Sequence, residues 1–160
     1  KAMSMTDNCA LLVLLVGHGS TVVNNPHATG LDCGACGGHT GEANARVAAA
    51  ILNDQDVRSA LHERGITIPD DTWFLGALHN TTTDEVTVYS GDIAGGRSEE
   101  LRRVEGWLKQ AGRIARAERA PRLPGAKAET VAARALNWAE VRPEWGLAGC
   151  AAFIAAPMVR

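Results

Sequence analysis

The chain has 160 residues, 46% of them apolar, with sixteen basic and eighteen acidic side chains. That suffices for one hydrophobic core and is short for two, and the formal charge of -2 gives no whole-molecule field favouring nucleic acid or anionic lipid. The longest apolar run, Ala10 to Val16, falls far short of the ~20 residues a spanning helix needs.

Four scattered cysteines, Cys9, Cys33, Cys36 and Cys150, with no secretory leader ahead of them, fit a reducing cytosol better than a disulfide framework. The chain opens on Lys1 and stops at Arg160 just after an apolar segment, so both ends read as cut from something longer. A single α/β domain over residues 1–160 is expected.

Leu11 to Val16 is a continuous aliphatic run ended by Gly17, the pattern of a central strand buried on both faces. From Ser20 to Gly41 the chain carries five glycines and Asn24-Asn25-Pro26, which predicts a long ordered loop of the functional kind. Thr40 is the expected cap of the next helix, with Glu42 in its first turn and Ala43, Val47, Ala50 and Ile51 on one stripe. A second short helix is expected from Asp54 to Gly65, and strands at Trp73 to Leu78 and Val86 to Tyr89, with the polar stretch His79 to Asp84 between them.

Ser98 begins the clearest helix, with Leu101, Val104, Leu108, Ala111, Ile114 and Ala115 spaced for one face, and Pro121 ends it. A shorter helix over Ala126 to Leu136 and a last strand around Ala151 to Ala155 complete the reading. Residues 97–134 hold ten of the basic side chains against five acidic ones, which a solvated helix face with Glu99–Arg103 and Glu105–Lys109 pairs explains most simply. Trp138 and Trp145 read as anchors packing a loop on the core. Strands alternating with helices predict an open, mostly parallel, Rossmann-like sheet covered on both faces, with ligands at the carboxyl ends of its strands.

The residues with chemistry cluster there. His18 ends the first strand, and the glycine-bearing loop places Asp32, Cys33, Cys36 and His39 after it. Imidazole and thiolate together suit zinc, and if the loop folds back, Cys33, fifteen residues beyond His18, can reach the same ion. Cys36 could serve instead, Cys33 and Cys36 could form a redox pair, or the loop could be inert. His27 and His39 have weaker claims, since a loop histidine is more often a hydrogen-bonding residue. His79 either orients a ligand from outside the metal's own shell or simply caps its strand.

Three blocks of the sequence, Gly17-His18-Gly19-Ser20 through Asp32-Cys33-Gly34-Ala35-Cys36-Gly37-Gly38, Trp73-Phe74-Leu75-Gly76 to His79-Asn80-Thr81, and Trp138-Ala139-Glu140-Val141-Arg142-Pro143-Glu144-Trp145-Gly146-Leu147-Ala148-Gly149, together resemble the DabA family of inorganic carbon transporter subunits. The resemblance implies a β-carbonic anhydrase-like protein on the cytoplasmic side of the inner membrane, with zinc held by two cysteines, an aspartate and a histidine. It further implies a membrane-embedded, proton-antiporter-like partner and bicarbonate accumulated from carbon dioxide. It assigns His18 and Cys33 as metal ligands and leaves Cys36, His79, Asp32 and His39 as further candidates. The family's Cys-x-Asp-x-Arg motif does not occur in this sequence, because Cys9 is followed by Ala10 and Leu11. The fragment alone is therefore expected to be inactive, with no catalytic residue of its own. Cys150, where a polar residue such as Asn is expected, reads as a small buried apolar side chain.

Overall fold

A computed structural model of the chain describes residues 6–21, 23, 36–92, 98–141 and 143. The aliphatic run forms strand β1, Leu12–Gly19, which extends past the predicted end to include His18. Helices α1, Glu42–Asn53, and α2, Gln55–His62, follow it. Strand β2, Trp73–Asn80, and strand β3, Glu85–Val88, precede the long helix α3, Ser98–Arg119. Single 3-10 turns lie at Ser90–Asp92, Ala120–Arg122 and Ala132–Leu136.

The sheet is mixed, in the order β1-β2-β3. β1 and β2 are parallel, from Leu12 opposite Trp73 to Gly19 opposite Asn80, whereas β2 and β3 are antiparallel. The expectation of a mostly parallel sheet is corrected by connection length. A parallel pair needs a crossover, which α1 and α2 provide, but only residues 81–84 join β2 to β3, and a link that short can make only a hairpin. Among the described residues β2 is therefore the central strand, and β1, predicted central, lies at an edge with Val16 half exposed at 50%.

Glycine lets α1 approach the sheet. A side chain at Gly76 would meet the Arg46 backbone at 2.8 to 2.9 Å, and one at Gly17 would run into the Gly41 carbonyl. Thus α1 lies across the face from which residues 17 and 76 would project, and residues 18 and 79 belong to the opposite face. Ala45 and Ala49 of α1 and Phe74, Leu75 and Ala77 of β2 are buried, and Ala120, Leu123 and Val131 form a hydrophobic cluster.

Several local expectations also change. α1 is capped at Gly41 rather than Thr40 and has no side-chain cap, while Asp54 caps α2 by accepting from the Val57 N–H at 3.0 Å. The helix predicted for Ala126 to Leu136 is turns followed by one 3-10 turn, the Thr130 hydroxyl bonding the Lys127 backbone in competition with a helical ladder. Trp138 is no anchor, being 78% exposed, with only short turns around it and no element packed over it among the described residues. The strand expected at Ala151 to Ala155, Trp145 and Cys150 lie outside the described residues. No helix among the described residues is long and apolar enough to cross a membrane.

Candidate functional site at the carboxyl ends of the parallel strands

β1 and β2 end together, and their ends are laced by polar contacts. Thr81 donates to the Gly19 carbonyl through its N–H at 2.9 Å and its hydroxyl at 3.1 Å. Asn80 Nδ2 donates to Thr21 Oγ1 at 2.7 Å, and the Thr21 N–H donates to Thr82 Oγ1 at 3.1 Å. The threonines of the predicted polar shelf thus cap strands and pin the chain as it leaves β1. The far end of the long loop returns to the same place, because the Gly41 N–H donates to the His18 carbonyl at 2.8 Å.

His18 and His79 occupy facing register positions on the two parallel strands. Aligned residues of a parallel pair project from the same face with backbones ~4.8 Å apart, so the two imidazoles leave the sheet side by side. His18 is exposed, and the His79 side chain is 38% exposed. The sequence placed both at strand ends; the register makes them neighbours.

Behind His79 lies a buried charge pair that sequence reasoning missed. His79 Nε2 faces Asp84 Oδ1 at 3.5 Å, and Arg119 Nη2 donates to the same oxygen at 2.7 Å, with only 4% of the Asp84 side chain and 1% of that of Arg119 exposed. Asp84 sits in left-handed backbone at φ 57 at the end of the β2–β3 turn, a conformation an aspartate tolerates better than most residues. Arg119 also donates to the Thr81 carbonyl at 3.2 Å, and Arg116 donates to that of Thr83 at 2.7 Å. Asp84 Oδ2 and Arg119 Nε are buried without a hydrogen-bond partner in the structure.

The reading of residues 97–134 as a solvated face fails at Arg119 and at Arg134, which is 8% exposed and bonds the Pro124 carbonyl and Glu140. The turn's bare carbonyls draw the first inward, since carbonyls withdrawn from water require donors. A signal existed: Gly112, Arg116 and Arg119 fall on one stripe of α3, and a glycine inside a helix marks a close approach. At Gly112 a side chain would strike the Asp84 carbonyl.

The loop candidates divide. Cys36 is half-buried, and its Sγ accepts from Asn44 Nδ2 at 3.1 Å. His39 is exposed and joins Cys36 through its own N–H, which donates to the Cys36 carbonyl at 3.3 Å. Cys33, Asp32 and His27 lie outside the described residues, and so does any pairing of Cys33 with Cys36. Among the described residues no group of three or more His, Cys, Asp or Glu side chains could hold a metal ion.

Comparison with known proteins adds a family. The family model described as "Probable inorganic carbon transporter subunit DabA" matches residues 1–160. Curated proteins carrying that description are 62% identical over 165 residues in Chloroflexus aggregans, 61% over 162 in Methylobacterium sp. (strain 4-46) and 60% over 162 in Rhodospirillum centenum. In each case all of this chain aligns with 20% of the relative, so the chain spans about a fifth of the length of these relatives. No solved structure matches.

Proposed function

The chain belongs to the DabA family of probable inorganic carbon transporter subunits, and from that premise we propose that it contributes His18 and Cys33 to a zinc site in a β-carbonic anhydrase-like protein that works on carbon dioxide and bicarbonate. The observation that carries the reading is the closure of the loop on His18. The chain leaves β1 pinned to the Thr81–Thr82 turn and comes back with the Gly41 N–H on the His18 carbonyl. Cys33 precedes Gly41 by eight residues, a length of chain that can span up to roughly 26 Å.

The donor chemistry fits the ion. An exposed imidazole at the carboxyl end of a parallel strand and a cysteine thiolate are a nitrogen and sulfur pair of the kind zinc selects. Asp32, Cys36 and His39 come from the same loop and are candidates to support the two ligands. The remaining ligands belong to the four fifths of the family protein that this chain does not span, since the sequence holds no Cys-x-Asp-x-Arg motif. When bound, zinc supplies the Lewis acidity that hydration of carbon dioxide uses. The chain's own part is to hold His18 at a fixed height on the sheet and to close the loop beside it.

In the same reading residues 1–160 form one domain, the crossover from β1 through α1 to β2 is the core of a carbonic anhydrase-like fold, and the protein is peripheral on the cytoplasmic side of the inner membrane. There it works with a membrane-embedded, proton-antiporter-like partner that accumulates bicarbonate. Membership of a family of transporter subunits supports partner subunits.

Metal analysis of the intact protein tests the site. Wild type is expected to carry zinc, and His18→Ala and Cys33→Ala are each expected to lose most of it. Unchanged zinc in both variants would overturn the proposal and return the glycine-rich loop to a purely structural or interaction role.

A further inference from the structure

Two features of the site lie outside the proposed pair of zinc ligands. The first is the neighbour of His18, a second imidazole on the same face. The second is the buried carboxylate behind it, anchored by an arginine and left with one oxygen unserved.

We infer that His79 is a substrate-positioning residue, held beside His18 by Asp84, which is itself locked by Arg119, and that its imidazole bonds an oxygen of bicarbonate or carbon dioxide. The inference rests on the proposed zinc reading and deepens it by naming how the substrate is oriented.

Facing register positions put the two imidazoles on one side of the sheet, opposite the face α1 covers. His79 Nε2 points at Asp84 Oδ1 at 3.5 Å, and the same oxygen takes the 2.7 Å bond from Arg119. A carboxylate buried to 4% exposure cannot swing away, because the turn that carries it is tied to α3 through Arg119 on the Thr81 carbonyl and Arg116 on that of Thr83. One ring nitrogen of His79 lies within ion-pair distance of that carboxylate, and its side chain is 38% exposed on the face it shares with His18.

The chemistry is consistent with the placement. A carboxylate beside one ring nitrogen favours one tautomer and ring orientation, and a polar group with a preferred orientation aligns a small oxyacid at less entropic cost than a freely mobile side chain. Strand capping, the alternative role for this stretch, already falls to Asn80, Thr81 and Thr82, whose bonds run to Thr21 and Gly19. It does not account for the approach of His79 to the buried aspartate. A buried ion pair with unserved atoms on both partners is an expensive arrangement for a turn that needs only a cap.

The test uses the intact, zinc-loaded protein, with bicarbonate binding followed by calorimetry and zinc content measured in parallel for wild type, His79→Gln, Asp84→Asn and His18→Ala. His79→Gln and Asp84→Asn are expected to retain wild-type zinc and to bind bicarbonate about tenfold more weakly, the effect of one lost hydrogen bond to a charged group. A merely structural role would lower zinc content and melting temperature together and leave the affinity of the folded fraction unchanged. Wild-type bicarbonate affinity in both variants, with zinc lost only in His18→Ala, would overturn the inference and leave the zinc reading standing. Loss of zinc in His79→Gln would also overturn it, making that residue a ligand. Full zinc in His18→Ala would remove both. Should Asp84→Asn fail to fold, His79→Gln decides alone, since its partly exposed side chain can be replaced without opening the core.

Discussion

Arg119 Nη2 and Asp84 Oδ1 lie 2.7 Å apart, with almost nothing of either side chain in contact with solvent. The pair joins the last turn of α3 to the β2–β3 turn, and so ties the longest helix to the end of the central strand. Burying two opposite charges gains little over an apolar pair, but removing one of them strands the other. Arg119→Ala or Asp84→Ala should therefore cost about 3–5 kcal/mol each, and the double replacement should cost less than the two added together. A double-mutant cycle of urea midpoints measures this, and additive losses would mean that the two groups do not interact.

Two glycines should respond to alanine with opposite signs. At Gly17 an added Cβ would overlap the Gly41 carbonyl, which is backbone and can move only by opening the loop's return to β1. Gly17→Ala should destabilise by about 1–3 kcal/mol. Gly106 lies within α3 with nothing within 4 Å of a new Cβ, so Gly106→Ala should stabilise by about 0.5–1 kcal/mol through helix propensity and a less free unfolded chain. Thermal midpoints of the two variants check both signs.

Arg58 staples α2 to the entry of β2. Its Nε donates to the Leu52 carbonyl at 2.8 Å and its Nη2 to that of Thr72 at 2.7 Å, and further bonds reach the Pro69 carbonyl and Asn53 Oδ1, each at 3.2 Å. Asn53 in turn accepts from the Phe74 N–H and donates to the Phe74 carbonyl. A lysine has one ammonium where this network needs a planar fork. Arg58→Lys should keep the charge and still lose about 2 kcal/mol, read as a lower urea midpoint; wild-type stability would show the fork to be dispensable.

Alkaline pH should weaken the contact between α1 and the end of β3. Partial burial raises the pKa of Tyr89 above its ordinary 10.0, and a hydrogen bond to Glu42 and that residue's charge push the same way, while Arg46, 4.8 Å from the ring centre, opposes them. A group whose folded pKa is raised contributes its stability below the unfolded value and loses it as pH rises through the folded one. Stability should thus fall above about pH 10, and Tyr89→Phe should flatten that part of the profile in thermal unfolding. An equally steep fall in Tyr89→Phe would assign the loss to another group.

Sequence alone determined the elements whose signals are local. The aliphatic run of β1, the apolar stripe of α3 and the strand at Trp73 were legible because period and turn chemistry act within a few residues. His18 at a strand end was legible for the same reason, and the family was legible from three separated blocks. What sequence could not supply was relation in space. Strand order and the antiparallel β3 depended on how residues 81–84 close, and the pairing of His18 with His79 depended on a register fixed across an interval of sixty residues.

The Asp84–Arg119 pair was decided by tertiary structure alone. A charged residue near a helix end reads as solvated until a neighbouring turn presents carbonyls that lack donors, and only the packing of α3 on that turn does so. Local pattern fixes which side chains a segment carries and which face they share. Desolvation, which converts an ordinary arginine and aspartate into a locked pair behind His79, is a property of the assembled layers and has no sequence period of its own.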